Sequence, residues 1–153
     1  MTDKTLTTIK KITTKLLSLL DVEIKNLTIE KKDEAIWIQF QTGDSALLIG
    51  YHGENLSSLQ LMISLIVSQA LGSWQKIVVN VNNWREERDE QLKVLAANFA
   101  QRVKFSGKPQ ILPPLSSSER RVIHLYLSDY SDVESVSQGV GRDRRLLIKP
   151  KIQ

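Results

Sequence analysis

Hydrophobic residues near the start of the chain recur every third or fourth position, at Leu6, Ile9, Ile12, Leu16, Leu19 and Leu20. This spacing predicts an amphipathic helix over residues 3–20. Its solvent side carries four lysines, Lys4, Lys10, Lys11 and Lys15. Two stretches with strand-like patterns follow, residues 22–29 and 35–40, separated by a polar turn at residues 31–34. We expect these two strands to form an antiparallel hairpin.

The middle of the chain changes back to helical spacing. Residues 43–49 predict a short helix, residues 50–53 interrupt it, and a second helix is expected from about residue 55 to residue 71, where Gly72 ends it. Its predicted buried positions are Leu56, Leu59, Met62, Ile63, Ile66 and Ala70. Leu61 and Leu65 lie off this stripe, which fits either an additional interface or a helix buried on both sides. Residues 77–81 predict a third strand.

A long helix is predicted from residue 84 to about residue 105, capped by Asn82 or Asn83. Its first half is charged and expected to be solvated, and its second half should bury Leu92, Leu95, Ala96, Phe99 and Val103. An edge strand at residues 110–112, a helix over residues 119–127 capped by the serines at 116–118, and strands at 133–137 and 146–148 follow. The chain is therefore expected to be α+β, with two small domains at residues 1–82 and 83–153. Each is expected to be a three-stranded sheet packed by helices.

Composition narrows the possible chemistry. The chain has no cysteine, and His52 and His124 lie far apart, so we expect no disulfide, no metal site and no cofactor. Its start lacks the order of a signal peptide, and its longest apolar stretch is too short to span a bilayer, so a cytoplasmic protein is expected. Residues 101–153 hold 10 Lys/Arg against 5 Asp/Glu, which suggests a polyanionic partner.

The first candidate site is the segment Gly50, Tyr51, His52 and Gly53, named here the glycine turn. Two glycines between helices let the backbone approach a ligand closely. The second helix starts at the turn, and its N–H groups and dipole favour phosphate. Tyr51 could stack on a base. A ligand-free turn between helices is the alternative.

The second candidate site is Arg120 with His124, four positions apart on one helical face. Arginine offers a planar fork of donors suited to phosphate, and a histidine one turn later could donate to the same group. Arg121, Arg142, Arg144 and Arg145 could widen the basic surface, as could Lys149. A structural histidine and ordinary solvated arginines are the alternatives.

Both regions carry family resemblances. The order helix, strand, strand, helix, helix, strand with Gly50 and Gly53 resembles a type II KH domain, whose G-x-x-G loop clamps about four nucleotides. Tyr51 departs from that pattern, because the inner positions often carry Lys or Arg. The Leu-Pro-Pro-Leu lead-in at 112–115, Arg120 and His124, and the Gly-x-Gly-Arg-Asp-Arg-Arg segment at 139–145 resemble the R-three-H domain. In that family the Arg…His pair is associated with single-stranded nucleic acid.

A type II KH domain followed by an R-three-H domain resembles the bacterial Jag (KhpB/EloR) family. The resemblance implies cytoplasmic RNA binding, roles in cell elongation and cell-wall control, and a small separate KH protein as a possible partner. We expect the chain to lack the N-terminal Jag domain and linker that many members carry, since the KH-like region starts almost at Met1.

The sequence also bears on functions other than RNA binding. It contains no recognisable nucleophile elbow, P-loop or paired-carboxylate site, so we do not expect an enzyme. A KH-mediated protein–protein scaffold without direct RNA binding is the alternative function. Single-stranded DNA also remains a possible ligand, because nothing in the sequence reads the ribose 2′-hydroxyl.

Overall fold

The computed structural model describes residues 3–151, which form two compact units divided between Arg85 and Glu86. The first unit contains six elements in the predicted order: α1 (Asp3–Leu19), β1 (Lys25–Lys32), β2 (Ala35–Gln41), α2 (Ser45–Ile49), α3 (Glu54–Leu71) and β3 (Ile77–Val81). A short 3₁₀ turn, Tyr51–Gly53, lies between α2 and α3. The sheet order is β1-β2-β3, with β1 antiparallel and β3 parallel to the central strand β2.

The core of the first unit forms between the sheet and the helices. Ile38 and Phe40 of the central strand β2 are fully buried. They belong to one cluster with Ile9 and Leu17 of α1 and Ile63 of α3. Fully burying side chains of this size contributes about 1.5–3 kcal/mol each. This packing fixes the ends of α2 and α3, and so the position of the glycine turn between them.

Several predicted burial positions in the first unit are wrong. Helix α3 buries Leu56, Leu59, Ile63 and Val67, whereas Met62, Ile66 and Ala70 are exposed. Leu61 and Leu65 are also exposed, so the alternative of a helix buried on both sides is wrong as well. In α1, Leu17 is buried while Leu19 is exposed, and Leu20, just after the helix, is also exposed. The first strand begins at Lys25 rather than at residue 22, and Val22 is buried in the connection before it.

The second unit combines two helices with an antiparallel sheet. Helix α4 (Trp84–Ser106) starts just before the division between the units, and β4 (Gln110–Ile111), α5 (Ser117–Leu127), β5 (Val133–Gln138) and β6 (Arg145–Pro150) follow. The strand order β4-β6-β5 puts the short predicted strand at the sheet edge. The expected fold class, two three-stranded sheets packed by helices, is confirmed.

The core of the second unit lies between α4, α5 and one face of this sheet. Leu92, Ala96, Ala100 and Val103 of α4 are buried against residues such as Ile123, Leu127, Leu146 and Ile148. Leu95 and Phe99, predicted to be buried, are only half-buried. The charged first half of α4 is not uniformly solvated either. Arg85 donates to the Val79 carbonyl and to Gln60 Oε1, each over 2.8 Å. Among the helices described, none is long and apolar enough to cross a bilayer.

Candidate nucleic-acid interface

The glycine turn has an unusual backbone conformation. Gly50 has a φ of 68°, His52 a φ of 50° and Gly53 a φ of 84°, so three of its four residues lie at positive φ. His52 is the non-glycine residue among them, and histidine is one of the residue types that tolerate the left-handed region comparatively well. The turn is therefore a specific backbone shape between α2 and α3.

Neighbouring side chains require both glycines. A Cβ at Gly53 would lie 2.3 Å from the Trp84 ring. A Cβ at Gly50 would lie 2.5 Å from the side chain of Asn55, which donates a 2.8 Å hydrogen bond to the Leu47 carbonyl. The sequence argument assigned these glycines to the close approach of a ligand. In the structure, their missing side chains make room for Asn55 and Trp84.

The turn presents its two middle side chains to solvent. Tyr51 is 76% exposed, and His52 is exposed beside it. The two rings pack edge to face, with centroids 4.1 Å apart. An exposed aromatic ring of this kind can stack on a base. Helix α3 starts here with Glu54 in its first turn, so a carboxylate stands at the helix end where the sequence argument placed phosphate.

The second candidate site depends on how α5 begins. Ser116 caps the helix in a capping box: its hydroxyl accepts from the Glu119 N–H, and Glu119 Oε2 accepts from the Ser116 N–H over 2.7 Å. The other oxygen, Oε1, lies 2.7 Å from Nη2 of Arg88 on α4, and both side chains are largely buried. The Ser116–Glu119–Arg88 network therefore fixes the first turn of α5 to α4.

The Glu119 carboxyl titrates abnormally because of this network. Burial alone would raise its pKa, but the hydrogen bonds from the Ser116 backbone and from Arg88 outweigh burial, and the pKa is lowered. Glu119 is therefore ionised when it holds α5. Neither Arg88 nor Glu119 was predicted to have this role. The Ser-x-x-Glu spacing of a capping box was the available signal for Glu119.

Arg120 and His124 share a face of α5 but contact different partners. Arg120 donates from Nη1 to the Leu115 carbonyl over 2.6 Å and from Nη2 to Ser117 Oγ over 3.1 Å. His124 is exposed, and its Nδ1 lies 2.7 Å from Ser135 Oγ on β5. Part of the arginine fork is thus used to bind its own loop. His124 is oriented by the sheet.

The arginines after β5 divide into two kinds. Arg145 is half-buried and donates to the carbonyls of Arg142 and Arg144, so it stabilises its own turn. Arg144 Nε donates to Ser137 Oγ over 2.8 Å. Arg142 and Arg144 are exposed, as is Arg121 on α5. Ser135 and Ser137 are two positions apart on β5 and therefore on the same sheet face, so the side chains of His124 and Arg144 meet that face about 7 Å apart.

A small depression adjoins His124. Its volume is about 170 Å³, and it is lined by residues that include Tyr130, Ser135 and Lys151. We name His124, Arg120, Arg121 and the arginines at 142, 144 and 145 together the α5 surface. Within the described residues, no group of three or more His, Asp or Glu side chains comes together that could hold a metal ion.

Comparisons with known proteins match both units. A family model for the "KhpA/KhpB, KH domain" covers residues 7–81, and one for the R-three-H domain covers residues 90–150. The RNA-binding protein KhpB of Bacillus subtilis is 31% identical over 128 residues, which is 82% of this chain and 62% of the relative. The protein of the same name from Clostridium symbiosum is 33% identical over 74% of this chain and 51% of its own length.

The protein of that name from Streptococcus pneumoniae is 32% identical over 84% of this chain and 39% of its own length. The chain thus spans between about two fifths and three fifths of the relatives named here. The two domain matches, a KH domain followed by an R-three-H domain, and the relatives named KhpB point to the same family. The chain belongs to the KhpB (Jag) family.

Proposed function

We propose that this chain is an RNA-binding regulator of the KhpB type, and that it binds single-stranded RNA without chemically altering it. The observation that carries this proposal is the glycine turn. Its two glycines lie at positive φ where Asn55 and Trp84 leave no room for a side chain, and the turn presents the Tyr51 ring to solvent. The curated relatives carry the name RNA-binding protein, which supports the same ligand. The family implies action in the cytoplasm.

Each unit has a defined part in this proposal. In the first, Gly50 and Gly53 shape the turn, Tyr51 stacks on a base and His52 contacts the backbone of the strand. In the second, Arg120, Arg121 and His124 contact phosphate, and Arg142, Arg144 and Arg145 extend that contact along the turn before β6. The division of these roles between residues 1–82 and 83–153 is part of the proposal.

The test is fluorescence anisotropy with single-stranded RNA, single-stranded DNA and duplex of matched length, over a salt series. Replacing both Tyr51→Asp and His52→Asp should weaken binding of single-stranded RNA about tenfold or more, since a stacked base alone is worth ~1–3 kcal/mol. Aspartate tolerates the left-handed backbone at position 52, so the fold should survive.

A matched control is the pair Ser73→Asp and Trp74→Asp at the other end of α3, roughly 27 Å away along the helix axis. Trp74 is 65% exposed, so the control also removes an exposed aromatic ring and adds the same charge. Equal losses in the two pairs would mean that the glycine turn is not the site. If no RNA binds even at low salt, the function proposed here is wrong. Divalent-ion-dependent cleavage of the labelled RNA would indicate an enzyme instead.

The exposed face of α3 supports a second function, contact with another KH domain. Leu61, Met62, Leu65 and Ile66 are 38–55% exposed and are neighbours on one side of the helix. The family model that matches this unit is named for two proteins, KhpA and KhpB, which favours a small KH protein as the partner. Clustered exposed apolar residues of this kind mark interaction surfaces.

Sedimentation velocity, with the chain alone at several concentrations and mixed with a small KH protein, tests this contact. Leu65→Glu should abolish the complex. Val94→Glu, which alters a 60% exposed apolar residue of α4, should leave the complex intact. No complex with the unaltered chain, or equal loss in both variants, would contradict the α3 contact.

A further inference from the structure

The solvent side of α1 carries charge of a single sign. Its four lysines, at positions 4, 10, 11 and 15, are exposed, and the helix sequence contains one acidic residue, Asp3. Among the side chains of residues 4–151, none of these four lysines forms an ion pair. Four lysines outside α1, Lys32, Lys93, Lys104 and Lys149, are each bound to a carboxylate. We name the four α1 residues the lysine face.

Three of the lysines form a straight row. Lys4, Lys11 and Lys15 are separated by seven and four positions, which places them along one side of a helix over roughly 16 Å. Lys10 lies beside the row. Hydroxyl groups of Thr7, Thr14 and Ser18 lie among these charges on the outer surface of the helix.

The packing of α1 limits what can bind there. Ile9 and Leu17 on the opposite side are fully buried in the core, so that side of the helix is not available to a partner. The exposed side presents the ammonium groups of the lysines and the hydroxyls of Thr14 and Ser18, with Leu19 exposed at the end of the helix. Ammonium and hydroxyl donors in a row suit a polyanion with regularly spaced charges, and phosphate oxygens accept from both groups.

We propose that the lysine face is a second binding surface for the sugar–phosphate backbone of the RNA strand, separate from the glycine turn and from the α5 surface. This inference rests on the proposed function. Phosphates of a stacked strand are about 3.4 Å apart along its axis, so 16 Å of helix spans four or five of them. The lysine face contacts no base edges in this arrangement, and it therefore adds affinity and salt dependence but no sequence preference.

The test replaces the row with uncharged residues in the full chain: Lys4→Gln, Lys11→Gln and Lys15→Gln together. Glutamine has nearly the same helix propensity as lysine, so α1 should persist. The matched control is Lys25→Gln, Lys31→Gln and Lys76→Gln, three exposed lysines of the same unit that lie outside α1. Both triple variants carry the same net charge, so a difference between them reports position and not total charge.

Anisotropy is measured with a four-nucleotide RNA and with a longer single strand, each over a salt series. For the longer strand, the α1 triple variant should flatten the slope of log K against log salt by about 2, since each phosphate contact contributes about 0.7. The control should change it by much less, and neither variant should alter binding of the four-nucleotide RNA.

Equal slopes for the α1 variant and the control would overturn the lysine face while leaving RNA binding at the glycine turn in place. Loss of all RNA binding by the unaltered chain would overturn both proposals. Vesicles of phosphatidylglycerol and phosphatidylcholine form a further arm. If the α1 variant loses vesicle binding but keeps the full RNA slope, the partner of this face is an anionic membrane and the inference is wrong.

Discussion

The glycine turn of the first unit and the α5 surface of the second are held in place by different kinds of contact. The turn is shaped by backbone torsion angles and by the uncharged neighbours Asn55 and Trp84. The α5 surface depends on the Arg88–Glu119 ion pair and on hydrogen bonds to Leu115, Ser117 and Ser135. Steric contacts do not depend on pH, whereas a carboxylate network does. The two regions should therefore fail under different perturbations.

The two regions also differ in charge. The glycine turn contains no lysine or arginine, and Glu54 follows it at the start of α3. The α5 surface carries five arginines in addition to His124. We infer that the turn contributes shape and stacking, and that the α5 surface contributes salt-sensitive attraction. This division predicts which substitutions alter folding and which alter only RNA binding.

The largest expected effect on stability belongs to Gly53→Ala. The new methyl group would overlap the Trp84 ring, and alanine is strained at a φ of 84°. Overpacking and the left-handed backbone together should lower the free energy of unfolding by roughly 3 kcal/mol. Urea denaturation followed by circular dichroism measures this loss.

Two glycines of the same unit are matched controls for this change. Gly72 has a positive φ of 67° and no atom within contact distance of an added Cβ, so Gly72→Ala isolates the backbone strain, about 1 kcal/mol. Gly43 has open space around it and no positive φ, so Gly43→Ala should change stability by less than about 0.5 kcal/mol. If all three variants lost the same amount, Trp84 would not be the reason for glycine at position 53.

The next effect is on the α5 surface. Glu119→Gln removes the ion pair with Arg88 and leaves a largely buried guanidinium without its carboxylate, which should cost about 2 kcal/mol. Glu134→Gln is the control, since it breaks the more exposed pair with Lys149 and should cost less than about 0.5 kcal/mol. A Glu119→Gln loss as small as the control's would mean that the network does not hold α5.

The same network predicts a pH dependence. The pKa of Glu119 is lowered in the folded chain, so its contribution is fully present above its usual value of 4.5 and is lost as the pH falls toward the lower folded value. Unfolding measured from pH 7 downward should therefore show a steeper loss in the parent than in Glu119→Gln. The pKa of Asp132 is also lowered, by its hydrogen bond from Lys104. Because Asp132 is present in both proteins, its effect on stability cancels when the two pH curves are subtracted. Parallel pH curves would contradict the role of Glu119.

Local signals were enough to predict the elements and their order. Gly72 ends α3 in the left-handed conformation that a C-terminal glycine provides, and Ser116 begins α5 as a cap. The alternation of residues 35–40 gave the central strand β2. These features depend on neighbours a few positions away along the chain, so a single sequence contains them.

Contacts between distant positions could not be predicted in this way. Trp84 packs against Gly53 from 31 positions away, and Arg88 reaches Glu119 from the same separation. The buried side of α3 was misplaced because both of its sides carry leucine, isoleucine or methionine, so periodicity does not select one side. The lysines of α1 were identified as solvent-facing, but that none of them pairs with a carboxylate among the side chains of residues 4–151 became visible only in the folded unit.

The smallest expected effects on stability are those of two arginines of the α5 surface, Arg145 and Arg142. Arg145→Ala removes the donor to two carbonyls of its own turn and should lower stability by about 1 kcal/mol. Arg142→Ala removes an exposed side chain. Arg142 takes part in that turn through its backbone carbonyl, which the substitution keeps, so stability should stay within about 0.5 kcal/mol. Its effect should appear in RNA binding as a salt slope flatter by about 0.7, measured by anisotropy on the folded variant. If Arg142→Ala leaves the slope unchanged and Arg145→Ala flattens it, the arginine that stabilises the turn is also the one that meets RNA. Structural and binding roles would then fall on the same arginine of the α5 surface, unlike the division proposed for the glycine turn.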